Sequence, residues 1–148
     1  MKIVIQRVKE AWVNVHGKLI SRIGPGAVIF LGVEKGDTQD EAEYFARKIA
    51  ELRMFPDTNG KMNLSATDLS SAFLVVSQFT LCSDCAKGRR PSFDRAAEPD
   101  VAQPLYQRFV ENLRTRHLEV ATGEFQAMME VGLVNDGPVT FVLEGRAK

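Results

Sequence analysis

Phe73-Leu74-Val75-Val76-Ser77-Gln78-Phe79-Thr80-Leu81 opens as an unbroken apolar, β-branched run. Such a run is the mark of a strand buried on both faces. It then delivers two hydroxyls and an amide, Ser77, Thr80 and Gln78, with Phe79 among them. A buried polar group without a partner costs roughly 1–3 kcal/mol. Three of them at the mouth of a core strand therefore point to a place where something binds. The competing reading is that they cap local turn backbone, and on this segment both readings stand.

Upstream of this strand, Ile3 to Val8 reads as one strand, and Val13-Asn14-Val15 begins a second that alternates apolar and polar. His16-Gly17 is a turn, and Lys18 to Ile23 returns as the partner of a hairpin. Gly24-Pro25-Gly26 breaks the chain before Ala27 to Val33, another buried strand. A helix follows, opened by a Thr38/Glu41 capping box and striped by Ala42, Phe45, Ile49 and Leu52. Pro56 stops it, Asp57-Thr58-Asn59-Gly60 is a turn, and Lys61 to Ser65 leads into a loop.

Downstream, residues 84–100 form a loop rich in charge, Gly and Pro. A second helix carries Leu105, Phe109 and Leu113 at helical spacing. Pro99 suits a first helical position, which would leave Pro104 deep enough to remove a backbone bond. The expectation is a helix that starts near Gln103 or is kinked there. Val120, Met128 to Val134 and Val139 to Leu143 read as the last strands. Asn135-Asp136-Gly137-Pro138 between them has the chemistry of a tight connection.

The 148 residues point to one domain spanning 1–148, long enough to bury a real core. Hydrophobic and charged contents of 45% and 26% are those of an ordinary globular chain. Nineteen basic and nineteen acidic residues cancel, so any nucleic-acid contact has to come from a local patch. Lys87, Arg89, Arg90 and Arg95 supply one in the 84–100 loop, read either as solvated charge or as phosphate contacts. No apolar run approaches the ~20 residues of a membrane helix. Met1-Lys2-Ile3-Val4-Ile5 lacks a signal-peptide pattern, so the expected place is the cytoplasm, with no membrane partner.

The chemistry is narrowed by what the motifs lack. Ser77 and Thr80 are alcohols that need an adjacent base to act as nucleophiles, and His16 and His117 have no motif around them. There is no Gly-x-Ser-x-Gly elbow, phosphate-binding glycine loop or dinucleotide fingerprint. Cys82-x-x-Cys85 stands alone. Zinc needs two further ligands, and a redox pair ordinarily opens a helix rather than following a strand. No metal and no cofactor are expected. An enzyme built this way needs a substrate that is easy to cleave or brings its own catalytic group.

Ser77-Gln78-Phe79-Thr80 and Asn135-Asp136-Gly137-Pro138-Val139-Thr140 resemble the paired signatures of the D-aminoacyl-tRNA deacylases. Gln6-Arg7-Val8, Gly60-Lys61-Met62-Asn63 and Lys87-Gly88-Arg89-Arg90-Pro91-Ser92-Phe93 match in register, so the resemblance covers essentially the whole chain. It implies an α/β single domain of β/β/α layers, with mixed, largely antiparallel strands, two main helices and a homodimeric state. It implies hydrolysis of the D-aminoacyl-tRNA ester, and of glycyl-tRNA mischarged on tRNA(Ala), by an RNA-assisted mechanism in which a ribose hydroxyl helps water.

Within that implication, Ser77, Gln78, Phe79 and Thr80 form the catalytic stretch, with backbone N–H groups near Phe79 and Thr80 facing the oxyanion. Gly137 and Pro138, joined by a cis bond and reaching in from the other subunit, reject L-residues. Arg7 holds their loop. Lys87, Arg89 and Arg90 take the tRNA, at its 3′ end and acceptor stem. The pattern is broken where relatives usually carry an acidic residue in place of Met128 and often a small one in place of Gln126. The rival reading is a non-enzymatic nucleic-acid-binding module that uses loop 87–95.

Overall fold

The sheet is organised on β1 (Lys2–Val15), one strand of 14 residues where the pattern suggests two. Burial explains the continuity. Ile3 and Ile5 face one side, while Val8, Ala11, Val13 and Val15 pack into a second cluster on the other. The alternation slips near Lys9 and Glu10, where the pairing register also shifts, so the strand passes from one layer to the next without ending. The computed structural model describes residues 1–145. Positions 146–148, the end of the span expected to be one domain, lie outside the described residues.

β2 (Lys18–Ile23) pairs antiparallel with β1 across the His16-Gly17 turn, where both residues have positive φ, 50° and 74°. β3 (Gly26–Gly32) pairs antiparallel with the first half of β1. α1 (Gln39–Glu51) has the expected capping box: Glu41 accepts from the Thr38 backbone N–H, and the Thr38 side chain takes up helix N–H. Ala42, Phe45 and Ile49 are buried on its inner face.

After α1, β4 (Phe55–Pro56) and β5 (Met62–Leu64) form a small separate ladder around the Asp57–Gly60 turn. The expected loop beyond Lys61 instead contains α2 (Ala66–Leu69), a single turn closed by a Ser65/Asp68 capping box. β6 (Ala72–Ser77) runs parallel to β3, with Ala72 through Val76 all buried. The strand stops at Ser77, and Phe79–Cys82 form a 3-10 turn.

α3 (Pro99–Arg114) begins at Pro99 and holds Pro104 inside the helix, ahead of the Gln103 start expected from sequence. Pro104 removes one bond, the one to the Asp100 carbonyl, and both residues are exposed, so the loss falls at the surface. β7 (Glu119–Thr122) runs parallel to β6. Both parallel connections thus cross over through helices, as parallel pairing requires.

β8 (Met129–Glu144) is one strand lying along β1 from Val15↔Met129 to Lys2↔Glu144. The expected two strands joined by a tight connection do not occur. Between Val8↔Asn135 and Gln6↔Thr140, β1 contributes only Arg7 while β8 contributes Asp136 to Val139. Asp136 to Val139, flanked by the paired Asn135, are therefore an enlarged bulge inside one strand. Its turn residues bend the chain outward and return it to the same partner.

The main sheet runs β2-β1-β3-β6-β7, with β8 on β1, and its two faces carry different cores. Ile3, Ile5, Ile29, Phe73 and Val75 meet α1 and α3. Val28, Leu74 and Val76 meet Val8, Ala11, Val13, Val15 and Ile23. The period-2 split of Phe73/Val75 from Leu74/Val76 is what makes the order β, β, α. Each such side chain contributes about 1.5–3 kcal/mol on burial.

Candidate active site

The strand that delivers Ser77 ends because its chain turns over the end of β3. The Gln78 backbone N–H donates to Leu31 O at 2.8 Å. Leu81 N then donates to Gln78 O at 3.3 Å, and Ser83 N to Thr80 O at 3.1 Å. Leu81 N makes the first bond of the 3-10 turn, so the N–H groups of Phe79 and Thr80 precede it, like the first donors of any helix. The Gln78 side-chain amide donates to the Thr80 hydroxyl. Phe79 is exposed at 58%, with its ring edge-on to Phe93 at 5.1 Å between centroids.

Ser77, Gln78 and Phe79 open onto a cleft of about 660 Å³, whose other walls come from the start of α3 and from residues 125–129. The walls are chiefly apolar or aromatic, among them Leu31, Val33, Phe93, Tyr106 and Phe125. Tyr106 is fixed, its hydroxyl donating to Val75 O at 2.8 Å, and burial pushes the phenol up to about 12. Gln126, with φ 64°, and Met128, the most exposed large apolar residue at 88%, also line the cleft. The two positions where sequence reading expects a departure from the family pattern are thus at the rim. Phe93, Tyr106 and Phe125 escape sequence reading because three distant segments bring them together.

Gly137 and Pro138 are exposed, the bond between them is cis, and neither lines this cleft. Their bulge is held by side chains. Arg7 occupies the helix-facing side of β1 after Ile3 and Ile5, a position where alternation calls for an apolar residue. It is 8% exposed, its Nη1 donates to Met54 O at 2.8 Å, and its Nε lies 2.9 Å from Asp136 Oδ2. Asn135 Nδ2 donates to Arg7 O and Val139 O at 2.9 and 3.1 Å.

Lys87, Arg89 and Arg90 are exposed at the tip of a loop closed by paired backbone bonds between Asp84 and Ser92. Arg95 is held apart from them, 3.3 Å from Glu34. Cys82 and Cys85 are free thiols. Cys82 is fully buried with its Sγ donating to Val33 O at 3.5 Å, and burial, reinforced by the Glu34 charge, pushes the thiol up to about 11. His16 and His117 both sit in positive-φ turns, and neither lines the cleft. Among the described residues there is no group of three or more His, Cys, Asp or Glu placed to hold a metal ion.

The cleft is thus mainly apolar, with the Ser77 hydroxyl and the Gln78 amide among its lining residues and no histidine in its walls. The chain matches the family model described as D-Tyr-tRNA(Tyr) deacylase over residues 4–144. It is 56% identical over 144 residues to a D-aminoacyl-tRNA deacylase of Syntrophotalea carbinolica, covering 97% of each chain. It is 53% identical over 148 residues to one of Thermus aquaticus, covering 100% of this chain and 97% of that one. A solved structure titled c-Myc DNA Unwinding Element Binding Protein superposes with TM-score 0.93 at 44% identity, over 99% of this chain and 100% of that one. One titled as a probable eukaryotic D-amino acid tRNA deacylase shares the fold, with TM-score 0.81 at 17% identity over 96% and 97%.

This chain belongs to the D-aminoacyl-tRNA deacylase family, whose members are hydrolases of aminoacyl-tRNA ester bonds. Among its described residues, no helix is long and apolar enough to cross a membrane.

Proposed function

We propose that this chain hydrolyses the ester of D-aminoacyl-tRNA in the cytoplasm, as a homodimer whose site is completed by the second copy, with residues 1–148 as one catalytic unit. The observation that carries this reading is a separation. Ser77, Gln78 and Phe79 open onto a cleft with Thr80 exposed beside them, while Gly137 and Pro138 of the same copy stand exposed elsewhere. β8 supports it, since among the described residues it pairs only with β1 and leaves its other edge open, with Val142 exposed at 68%. Long open edges ordinarily find a cover.

In this reading water attacks the ester carbonyl, and the ribose hydroxyl next to the ester orients it. The N–H groups of Phe79 and Thr80 take the oxygen as it gains charge, where one such donor contributes about 3–4 kcal/mol. Collapse of the tetrahedral species breaks the bond to the ribose oxygen and leaves a free amino acid and tRNA. Ser77 and Gln78 orient the ester and ribose, and Phe79 offers a face to the terminal adenosine. Gly137 and Pro138 of the second copy present backbone where an L side chain would project, and Arg7 keeps their bulge in place. Glycine has no side chain to reject, so glycyl-tRNA mischarged on tRNA(Ala) is also a substrate. Lys87, Arg89 and Arg90 neutralise phosphates of the acceptor stem.

A second reading has a specific support. The relative whose title names a DNA element superposes over nearly the full chain, consistent with a nucleic-acid binder that uses loop 87–95. Incubation with D-Tyr-tRNA separates the two, since a deacylase releases the amino acid and a binder leaves the ester intact. Replacing Arg89 and Arg90 together with Ala is expected to weaken tRNA binding and flatten its salt dependence by about one slope unit per lost phosphate contact. Cleavage of a short D-aminoacyl-adenosine ester should change far less. Equal losses on both substrates would assign these arginines to the fold.

A further inference from the structure

We infer that Gly32 is a positioning residue for the reaction, because bare backbone at that point sets how deeply the Phe79–Cys82 turn is seated. The inference rests on the deacylase reading above. Three consecutive residues where β3 ends form the seat. Leu31 O accepts the Gln78 N–H at 2.8 Å, and Val33 O accepts the Cys82 thiol at 3.5 Å. Between them, a Cβ on Gly32 would lie 2.9 Å from Cys82 Sγ, 2.9 Å from Gln78 O and 3.1 Å from Leu81 Cβ.

Gly32 is there for space and not for conformation. It lies in regular strand opposite Lys2, whereas Gly17, Gly60 and Gly88 have positive φ and open space around them. Contacts below 3.0 Å are essentially never made by real Cβ atoms, so a methyl group at Gly32 has to lift the turn. Gln78 O cannot yield alone, because it also accepts the Leu81 N–H that closes the turn. Lifting the turn re-aims the Phe79 and Thr80 N–H groups, and oxyanion donors act only within about 2.7–3.1 Å of the developing charge. Gly32 touches no substrate and acts through the turn it carries.

The test is Gly32→Ala, with Ile49→Ala in the buried face of α1 as a stability control. Gly32→Ala should lower kcat by about 100-fold, the effect of losing one oxyanion donor. The loss should be equal on D-Tyr-tRNA and on the adenosine fragment, with KM and tRNA binding unchanged. Ile49→Ala should lower Tm while kcat per folded molecule stays at the wild-type value. Gly32→Ala combined with Cys82→Ala empties the Sγ volume, so part of the loss should return. If the single variant does not fold, the double variant is measured alone and should remain about tenfold below wild type, since Gln78 O still meets the new methyl.

A wild-type kcat in either folded Gly32 variant overturns the inference, as does a loss matched by Ile49→Ala at equal Tm. An inactive wild-type protein would instead refute the deacylase reading. The seat is then tested by the amide resonances of Phe79 and Thr80, which must move in Gly32→Ala and stay in place in Ile49→Ala.

Discussion

The Phe79–Cys82 turn and the Asn135–Val139 bulge both interrupt a strand, and they are held in opposite ways. The turn is held by main chain and close approach: Leu31 O, the bare Gly32 and Val33 O beneath it. Its exposed side chains, Phe79 and Thr80, support none of that seat. The bulge is held by side chains, through Arg7 to Asp136 and Met54 and through Asn135 to two carbonyls, while it turns Gly137 and Pro138 outward. The turn can therefore tolerate changes in its exposed side chains, whereas the bulge depends on Arg7 and Asn135. In the proposed function, backbone is the working surface of both.

The largest effect expected from this contrast concerns chirality. A backbone wall rejects what projects into it and offers no pocket that grips the permitted side chain. D-residues of very different size should therefore be cleaved at similar rates, and glycine should be cleaved to some extent. A rejection penalty of ~4 kcal/mol corresponds to roughly a thousandfold preference. D-Tyr, D-Asp, Gly and L-Tyr esters on matched tRNA measure it. Acceptance of a single D-residue, or glycine as inert as the L-ester, would show that a recognition pocket exists and that the bulge is not a wall.

The difference between the two regions also decides what the sequence could reveal. Phe73 to Val76 is legible because burial on both faces leaves an uninterrupted apolar run. Thr38 and Glu41 are legible because a capping box is local. Ser65 and Asp68 carry the same kind of signal and mark α2, which a reading of Lys61 to Ser65 as a lead into loop passes over. Asn135-Asp136-Gly137-Pro138 is not legible as a bulge, because the same turn chemistry serves a chain reversal. Only the pairing of both flanks with β1, more than 100 residues away, decides the matter. The seat at Gly32 escapes for a similar reason, since a glycine at a strand end gives no sign of what lies across it.

A second, smaller effect attacks the support of the bulge. Arg7→Met keeps most of the side-chain volume but removes the donor to Met54 O and the cation beside Asp136. Hydrogen bonds to charged groups contribute about 1.5–3 kcal/mol, and the lower half applies here because Asp136 is 38% exposed. A lower melting temperature and a preference for D- over L-Tyr-tRNA reduced by about tenfold are expected together. Lysine at this position should restore little, because it lacks the fork that reaches two partners at once. Unchanged discrimination in a folded Arg7→Met protein would show that the bulge keeps its shape without Arg7.

The smallest effect is expected where a reading from residue types alone places the largest. Ser77 and Thr80 are the hydroxyls of the signature, yet no histidine lines the cleft onto which Ser77 opens, and the Thr80 hydroxyl, outside its lining, already accepts from the Gln78 amide. An alcohol without a base is a poor nucleophile at neutral pH. Ser77→Ala and Thr80→Ala should each keep kcat within about tenfold of wild type, the scale of one lost neutral hydrogen bond. A substrate lacking the ribose hydroxyl next to the ester should lose more than either variant, because it removes the group that orients water. The seat predicts the same order, since neither hydroxyl contacts Leu31 O, Gly32 or Val33 O, on which the turn rests. Mass spectrometry of rapidly quenched reactions supplies the decisive measurement. An acyl group trapped on Ser77 or Thr80 would make that residue the nucleophile and end the account in which backbone does the work.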